Sequence, residues 1–310
     1  MTLIELIEQS AAQLKTAGVA FGHGTTNAFD EAAWLVLWRV GLPLRSALNG
    51  SKSVANRNIS AVEYGHVAAL IKSRIETRKP AAYLTQEAWL QNVQFYVDER
   101  AIVPRSFIAE LLVDAAIDPW LTEKTINVLD LCTGNGSLAI IAALAYPDIK
   151  VTGSDLSADA LAVAKINVEK HALQNRITLL QSDALSNPEL RQRGPFDLIL
   201  CNPPYVNAAS MAALPPEYHA EPLIALDGNI SGGDDGMDFI RMLLRDAPAQ
   251  MSEKAVLVLE IGNERENYEA AFPTLEAVWL ECSAGADQVL LVTREALQAL
   301  NKISKWKPVG

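Results

Sequence analysis

Between residues 126 and 293 short apolar runs alternate with amphipathic stretches, and this alternation constrains the fold more than any other feature. The apolar runs have strand length and predict strands at residues 126–131, 150–154, 177–181, 196–201, 255–261, 275–281 and 288–293. Helices are predicted at 137–146, 158–171 and 237–251. Strands that alternate with helices form a parallel sheet with helices on both faces. The sequence therefore predicts an α/β domain.

The first eighty residues show helical spacing of apolar side chains and no strand signal. They predict one helix that ends at Gly18, a second over 28–40, and a third that begins at Ser60 and stops before Pro80. Ser60 and Glu63 have the spacing of a capping box. A small helical domain is therefore predicted ahead of the α/β domain.

Between these two parts the apolar period changes again. Residues 89–97 and 100–103 predict two short strands joined by a turn at Asp98 and Glu99. The predicted organisation is a helical domain at 1–88, a β-hairpin linker at 89–104 and the α/β domain at 105–310.

The charge of the chain is distributed unevenly. Residues 1–104 hold 10 basic and 9 acidic side chains, whereas residues 105–310 hold 16 basic and 28 acidic ones, and the whole chain has a net charge of −11. Affinity for nucleic acid comes from neutralised phosphates, so an acidic domain is a poor non-specific binder of DNA or RNA. It suits a basic partner better, unless the charge serves solubility alone.

Cysteine and histidine spacings exclude two further kinds of protein. Cys132, Cys201 and Cys282 form no CxxC pair, and the four histidines have no metal-ligand spacing. A disulfide framework and a metal site are thus not expected. The longest apolar run, 138–146, is far shorter than the ~18 residues of a membrane span, and the N-terminus lacks a basic leader. We therefore expect a cytoplasmic protein.

A glycine-containing turn follows the first strand of the α/β domain. Gly134 and Gly136 stand between a strand and a helix, where glycine permits positive φ and close approach of a ligand to the backbone. Asp130, Asp155 and Asp183 end three consecutive predicted strands. An acidic side chain at the position of Asp155 can accept from both ribose hydroxyls of a nucleoside. These residues predict a nucleoside site in one crevice.

The charge of this crevice indicates which nucleoside binds. A dinucleotide brings a pyrophosphate that needs donors and cations, but the turn brings Asp130 and no nearby Lys or Arg. S-adenosylmethionine carries a sulfonium and an ammonium group, and an acidic pocket suits both. It is the predicted cofactor.

The sequence Asn202-Pro203-Pro204-Tyr205 directly follows a predicted strand and is the most specific feature of the chain. Two prolines remove two backbone donors and stiffen the turn. Carbonyls of Asn202 and Pro203, the Asn202 side chain and the Tyr205 ring then suit a planar –NH₂ group. Such a nitrogen is a poor nucleophile, and in-line orientation of the methyl donor supplies much of its activation.

Two other segments are open to interpretation. Residues 206–236 have little periodicity and many prolines and glycines, which predicts a clamp or lid beside the site. The cluster Lys72, Arg74, Arg78 and Lys79 either complements the end of a helix or contacts a partner, RNA included.

In their order and spacing these motifs resemble the HemK-type protein-glutamine methyltransferases, which methylate a glutamine side-chain amide in proteins of translation. The resemblance rests on DLCTGNGS at 130–137, GSDLS at 153–157, NPPYV at 202–206, FYVDERAIVPR at 95–105, EYHAEPLIAL at 217–226 and GGDDG at 232–236. It implies a class I, Rossmann-like, S-adenosylmethionine-dependent methyltransferase with a small helical N-terminal domain that chooses the substrate.

Other segments resemble one branch of that family. Members that act on release factors typically continue Pro-Arg with Pro-Glu-Thr-Glu, whereas this chain has RSFIAEL at 105–111. That segment, with FGHGT at 21–25, DEA at 30–32 and PAAYLT at 80–85, resembles the branch that methylates the third protein of the large (50S) ribosomal subunit.

The resemblance also implies roles for individual residues. Asn202, Pro203, Pro204 and Tyr205 are expected to hold the glutamine amide. The expected cofactor contacts are Arg105, Phe107, Asp130, Cys132, Thr133, Gly134, Asn135, Gly136, Asp155, Leu156, Asp183, Ala184 and Asn202.

Three alternatives stay open on sequence grounds. The first is the release-factor branch, with the same chemistry on another protein. The second is a DNA adenine methyltransferase, whose tetrapeptide is similar but whose base flipping needs a basic cleft. The third is an assembly factor that binds a ribosomal protein without turnover.

Overall fold

The computed structural model describes residues 1–303. The first part of the chain folds into four helices, α1 (Leu3–Thr16), α2 (Ala28–Arg39), α3 (Ala61–Thr77) and α4 (Ala81–Thr85). The predicted capping box is confirmed, because the Glu63 N–H donates to Ser60 Oγ at 3.2 Å and the Ser60 N–H donates to Glu63 Oε2 at 2.9 Å.

These helices bury an apolar core of their own. Its largest fully buried side chains come from α1, α2 and α3, and each contributes roughly 1.5–3 kcal/mol relative to an exposed side chain. The largest of them are Leu3, Ile7, Leu14, Leu35 and Ile71.

A short hairpin follows, but its turn is not where the sequence predicts it. Strands β1 (Ala88–Leu90) and β2 (Val93–Phe95) pair across Gln91 and Asn92, which both have positive φ. The predicted turn at residues 98–99 joins no strands. Asp98 does turn the chain, but its carboxylate accepts from the Arg100 N–H at 3.1 Å and thereby satisfies the backbone locally.

Seven strands form the large sheet, in the order β5-β4-β3-β6-β7-β9-β8. Neighbouring strands from β5 to β7 are parallel, while β9 runs antiparallel to both β7 and β8. The strands are β3 (Asn127–Leu131), β4 (Lys150–Asp155), β5 (Ile177–Gln181), β6 (Phe196–Cys201), β7 (Met251–Glu260), β8 (Val278–Cys282) and β9 (Gly285–Thr293). The strand order reverses between β3 and β6, and in such sheets this is where ligands bind.

Helices cover both faces of the sheet. They are α5 (Ile108–Val113), α6 (Ser137–Ala145), α7 (Ala158–Lys170), α8 (Pro188–Arg193), α10 (Asp238–Asp246), α11 (Arg265–Ala271) and α12 (Arg294–Ile303). A further helix, α9 (Ala208–Ala213), buries no residue and lies at the cavity. Alternate strand residues enter separate cores, so Val128 and Leu198 pack with α5 and α6, whereas Leu129 and Ile199 pack with α10 and α12. The predicted α/β architecture is confirmed.

The predicted helix over residues 237–251 is too long. Helix α10 ends at Asp246, and Pro248 lies in a 3₁₀ turn over residues 247–249, before β7 begins at Met251. Proline has no backbone N–H and favours the first turn of a helix over its interior. Within residues 1–303 no helix combines the length and the apolar composition that a bilayer crossing requires.

Candidate active site

A cavity of about 820 Å³ opens at the carboxyl ends of the central parallel strands. Most of its lining comes from the 103–107 wall (Val103 to Phe107), the turn after β3, the ends of β4 and β5, the Asn202–Tyr205 turn after β6, and part of the segment 206–230. Residues 100–102, Phe239, residues 262–264 and Gln288 complete it. The cavity therefore gathers almost all the residues that the sequence singles out, and its volume is typical of small-molecule sites.

The turn after β3 has the backbone that its glycines predict. Cys132, Gly134 and Gly136 all have positive φ. A Cβ on Gly136 would lie 3.1 Å from the Ala164 Cβ, so glycine lets α6 and α7 pack closely.

Asp130 lies beneath this turn and not in the cavity. Its Oδ2 accepts from Thr133 Oγ1 at 2.5 Å and from the Ala139 N–H at 2.9 Å, and the residue is fully buried. The expected contacts of Asp130 and Gly136 with the cavity are thus not seen, because both are covered by the turn they shape. Asp130 holds the turn together from below.

Burial of Asp130 makes folding depend on pH. Burial raises its pKa to about 7 from the ordinary 3.8. Between these values the folded state holds more protons than the unfolded state, so stability falls as pH rises from about 4 to about 7. Asp130→Asn has no such titration, and we expect its melting temperature to fall less steeply from pH 5 to 7, by differential scanning fluorimetry.

A second carboxyl group keeps part of that slope in the variant. Burial also raises the pKa of Glu260 to about 7 from 4.5. The slope in Asp130→Asn should accordingly be shallower but not zero. Equal slopes in the two proteins would show that Asp130 does not titrate in this range.

Asp155 and Asp183 do line the cavity. Asp155 Oδ2 accepts from the Gly134 N–H at 2.8 Å, Oδ1 accepts from the Ser157 N–H at 2.9 Å, and burial raises the pKa of this carboxyl. Asp183 is exposed, and no described side chain or backbone group bonds to its carboxylate. The carboxyl ends of β4 and β5 therefore both offer acceptors to a nucleoside.

Apolar side chains stand beside these acids. Leu156, Ala184 and Phe107 line the same cavity, and Leu156 is 47% exposed. A large exposed aliphatic side chain in a cleft suits the face of a flat ring. Thr133, Cys132 and the other expected contacts on the turn also reach the cavity, apart from the two covered residues.

The Asn202–Tyr205 turn leaves β6 directly toward the cavity. Pro203 and Pro204 are buried, whereas Asn202 and Tyr205 are half-buried. Within residues 1–303 nothing hydrogen-bonds the Asn202 side chain or the Pro203 carbonyl, so both are available to a ligand. Burial raises the pKa of Tyr205, which keeps its hydroxyl protonated.

Gly262 supports the Tyr205 ring. It has φ +53°, and a Cβ there would lie 2.6 Å from Tyr205 Cε2. We expect Gly262→Ala to displace the ring and to lower kcat roughly tenfold or more, because such turns depend on sub-ångström positioning. Steady-state kinetics of the reaction that the resemblance implies measure this effect.

Gly41→Ala is the matched control for that variant. Gly41 has φ +72°, and no atom lies within 4 Å of the position that a Cβ would take, so alanine there carries the same backbone cost, about 1 kcal/mol, without a clash. If both variants lose kcat equally, the ring is not held by Gly262.

Two cysteines lie at the site: Cys132 lines the cavity, and Cys201 is fully buried. The neighbouring Cys201 thiol and burial raise the pKa of the Cys132 thiol. A thiol with a raised pKa is a poor nucleophile. All three cysteines are free, and no cluster of three or more His, Cys, Asp or Glu side chains able to hold a metal occurs among residues 1–303.

Sequence reasoning missed two buried glutamates that hold the 103–107 wall. Glu260, at the end of β7, accepts from Ser106 Oγ at 2.5 Å and from the Phe107 N–H at 2.9 Å. Glu221 accepts from both terminal nitrogens of Arg105, at 2.6 and 2.7 Å. Arg105, an expected cofactor contact, lines the cavity but directs its guanidinium at Glu221.

The segment 206–236 is more ordered than its composition predicts. It contains α9 and two 3₁₀ turns, over Pro216–Ala220 and Leu223–Ala225, and Val206 forms a bridge with Asp227. Tyr218 and Ile224 from this segment line the cavity. It forms a packed roof over the site in this structure.

The basic cluster at the end of α3 is paired with carboxylates. Arg74 bonds Glu31 at 2.7 Å inside the protein, and Arg78 bonds the buried Glu217 at 3.1 Å. The two lysines pair as well, Lys72 with Glu76 and Lys79 with Glu99. Geometry thus favours a structural role for these cations.

Known proteins with similar sequences identify the family of the chain. Residues 109–214 match the family described as Methyltransferase small domain. A curated relative from Bordetella pertussis, a ribosomal protein uL3 glutamine methyltransferase, is 48% identical over 298 residues, which cover 96% of each chain. Relatives of the same name are 47% identical in Burkholderia pseudomallei, over 96% of each chain, and 44% identical in Neisseria gonorrhoeae, over 96% of this chain and 95% of that one.

A solved structure shows the same fold at much lower identity. The crystal structure of the hMettl16 catalytic domain in complex with MAT2A 3'UTR hairpin 1 is 12% identical, covers 84% of this chain and 88% of that chain, and gives a TM-score of 0.52. At this identity the likeness concerns the fold alone.

The sheet order, the glycine turn and the Asn202–Tyr205 turn together define a class I methyltransferase. With identities of 44–48% over nearly the whole length of both chains, the chain belongs to the ribosomal protein uL3 glutamine methyltransferase family. The branch predicted from the sequence is confirmed, and the release-factor branch is not favoured.

Proposed function

We propose that the chain transfers a methyl group from S-adenosylmethionine to the side-chain amide nitrogen of a glutamine in ribosomal protein uL3. Its relatives carry this activity in their names. The observation that carries the proposal within the structure is the pair of unbonded acceptors at the Asn202–Tyr205 turn, which line the cavity beside the glycine turn.

The cavity has the volume and the donor and acceptor groups that suit this cofactor. Asp155 and Asp183 would accept from hydroxyl and amino groups of the nucleoside, and Leu156 and Ala184 would cover its flat ring. The backbone of the turn at 132–135 would hold the methionine part, where φ is positive at Cys132 and Gly134. When bound, the cofactor supplies a methyl group activated by positive sulfur.

The Asn202–Tyr205 turn would hold the substrate amide. The Asn202 side-chain oxygen and the Pro203 carbonyl accept the two N–H hydrogens, and the Tyr205 ring lies against the amide plane. These contacts direct the nitrogen lone pair, which is otherwise delocalised into the carbonyl, toward the methyl group. After transfer the nitrogen loses one hydrogen as a proton to water, so no nucleophilic side chain is required.

The rest of the chain would select the protein substrate. We propose that residues 1–88 recognise uL3, that 89–104 link them to the site, and that the acidic domain at 105–310 complements a basic ribosomal protein. Since the partner is ribosomal and the three cysteines are free thiols, we place the activity in the cytoplasm.

The proposal is tested with purified protein, S-adenosylmethionine and three separate substrates: unmodified uL3, a peptide-chain release factor and adenine-containing DNA. Peptide and nucleoside mass spectrometry then read the gain of one methylene mass. We expect it on a glutamine of uL3 alone. A gain on the release factor alone would move the chain to the other branch, and tight uL3 binding without a gain would indicate an assembly factor.

A further inference from the structure

Two buried glutamates of the roof segment face the helical part of the chain. The side chains of Glu217 and Glu221 are both fully buried, four residues apart, and both pair with arginine. Burying a charge is costly even when it is paired, and well-packed apolar residues often replace such pairs without loss of stability. Glu221 bonds residues that line the cavity, whereas Glu217 bonds none.

Glu221 joins three separate segments. It binds both terminal nitrogens of Arg105, accepts from the Val103 N–H at 2.9 Å, and lies 3.4 Å from His23 Nε2. Val103 and Arg105 line the cavity, and His23 belongs to the helical part. One carboxylate of the roof segment thus bonds a cavity wall and lies within ion-pair distance of His23, in the connection between α1 and α2.

The other end of the same wall is held independently. Glu260 on β7 accepts from Ser106 and Phe107. The wall is thus held at one end by Glu260 on the sheet and at the other end by Glu221 on the roof segment. Arg105 also lies over the Tyr218 ring, 5.6 Å from its centre. Glu221 therefore determines the position of one end of the wall relative to the glycine turn after β3.

Glu217 makes comparable bonds without reaching the cavity. It accepts from the Ala20 N–H at 3.1 Å, and it pairs with Arg78 at 3.1 Å and with Arg74 at 3.5 Å. None of these partners lines the cavity. Glu217 fastens the roof to the helices, whereas Glu221 fastens the roof to both the helices and the wall.

We propose that Glu221 is a positioning residue for methyl transfer: it sets the 103–107 wall through Arg105 and Val103 and couples that wall to the helical part through His23. This inference rests on the proposed function only in taking uL3 as the substrate of the kinetic test. Arg105 acts as the partner of Glu221, which keeps the guanidinium away from a cationic cofactor.

Glu221→Gln and Glu217→Gln test this assignment as a matched pair. With unmodified uL3 and saturating S-adenosylmethionine, we expect kcat to fall about 10²-fold in Glu221→Gln, since a displaced wall misorients the reactants. In Glu217→Gln we expect kcat within a factor of about three of wild type, at a similar loss of melting temperature. Equal losses of kcat in the two variants would reduce Glu221 to a structural residue.

A second readout does not depend on the substrate. Amide hydrogen exchange at Val103 and at residues 105–107 should accelerate in Glu221→Gln, which weakens acceptance from the Val103 N–H, and stay unchanged in Glu217→Gln. Unchanged exchange in both variants would overturn the inference. If wild-type protein fails on uL3, the proposed function is wrong, and the exchange comparison still decides the role of Glu221.

Arg105→Gln covers the case in which Glu221→Gln does not fold. It removes the Arg105 contact of Glu221 from the other side, and we expect kcat to fall and exchange at residues 105–107 to accelerate, while the Val103 N–H keeps its acceptor. If both single variants fold, the double variant should lose less than the sum of the two single losses, because Arg105 and Glu221 share one of the contacts that hold the wall. Additive losses would contradict that.

Discussion

Asn202→Ala lowers kcat by about 10²–10³-fold or more and leaves S-adenosylmethionine affinity nearly unchanged; this is the expected result with the largest effect. The Asn202 side chain has no partner among residues 1–303, so its removal breaks no bond that holds the fold. What is lost is one of two acceptors for the substrate amide. A time course of uL3 methylation at saturating substrates measures kcat, and isothermal titration calorimetry measures cofactor binding.

Asn175→Ala serves as the control for this variant. Asn175 is exposed on the turn before β5 and does not belong to the cavity lining, and we expect wild-type kinetics. If Asn202→Ala keeps a rate near that of wild type, the turn does not orient the amide through this side chain.

Asp155→Ala has the second large effect, and it falls on the cofactor. The variant loses the acceptor for ribose hydroxyls and also releases the Gly134 and Ser157 N–H groups. A hydrogen bond to a charged group is worth about 1.5–3 kcal/mol. The loss of the two bonds from the ribose hydroxyls to the Asp155 carboxylate therefore weakens S-adenosylmethionine binding roughly 10²-fold or more. Isothermal calorimetry on the protein without uL3 measures this directly.

Asp159→Ala separates this effect from a general loss of negative charge. Asp159 lies one turn further along, exposed in the first turn of α7. We expect its cofactor affinity to match wild type. Equal weakening in both variants would mean that Asp155 acts through the net charge of the region and not by contact.

Strands and central helices of the α/β domain follow from local pattern, and their ends agree to within a few residues. The strand at 177–181 and the strand at 196–201 coincide with β5 and β6. Buried parallel strands are continuous apolar runs bounded by turn residues, so they can be predicted from a single sequence. Short helices such as α8 and α11 span less than two turns and carry too few residues for a periodic signal.

The final helix and the hairpin are not predictable from the sequence for other reasons. Helix α12 follows β9 without a connecting turn, at Arg294, so no breaker marks its start. The hairpin turn at Gln91 and Asn92 contains no glycine, although both residues have positive φ. Local turn signals at residues 98–99 are stronger and are satisfied by side-chain bonds instead.

In the site, residues that act near their own turn are predictable, and residues that act across the chain are not. The Asn202–Tyr205 turn and Asp155 stand at strand ends, where topology alone puts them in one crevice. Glu221 reaches Arg105 across 116 residues, and Glu260 reaches Ser106 across 154. No local pattern shows which carboxylate meets which donor at such separations, and the burial of Asp130 beneath the turn is likewise a tertiary result.

Acid hydrolysis of uL3 after methylation with a labelled methyl donor tests the central claim most directly. An N-methylated glutamine amide breaks at its carbonyl and releases the label as methylamine, with glutamate left in the protein hydrolysate. We predict methylamine as the labelled product with the wild-type protein, and a strong reduction with Asn202→Ala. Label released as methanol, or retained on lysine or arginine, would place the methyl group on another atom and contradict the account.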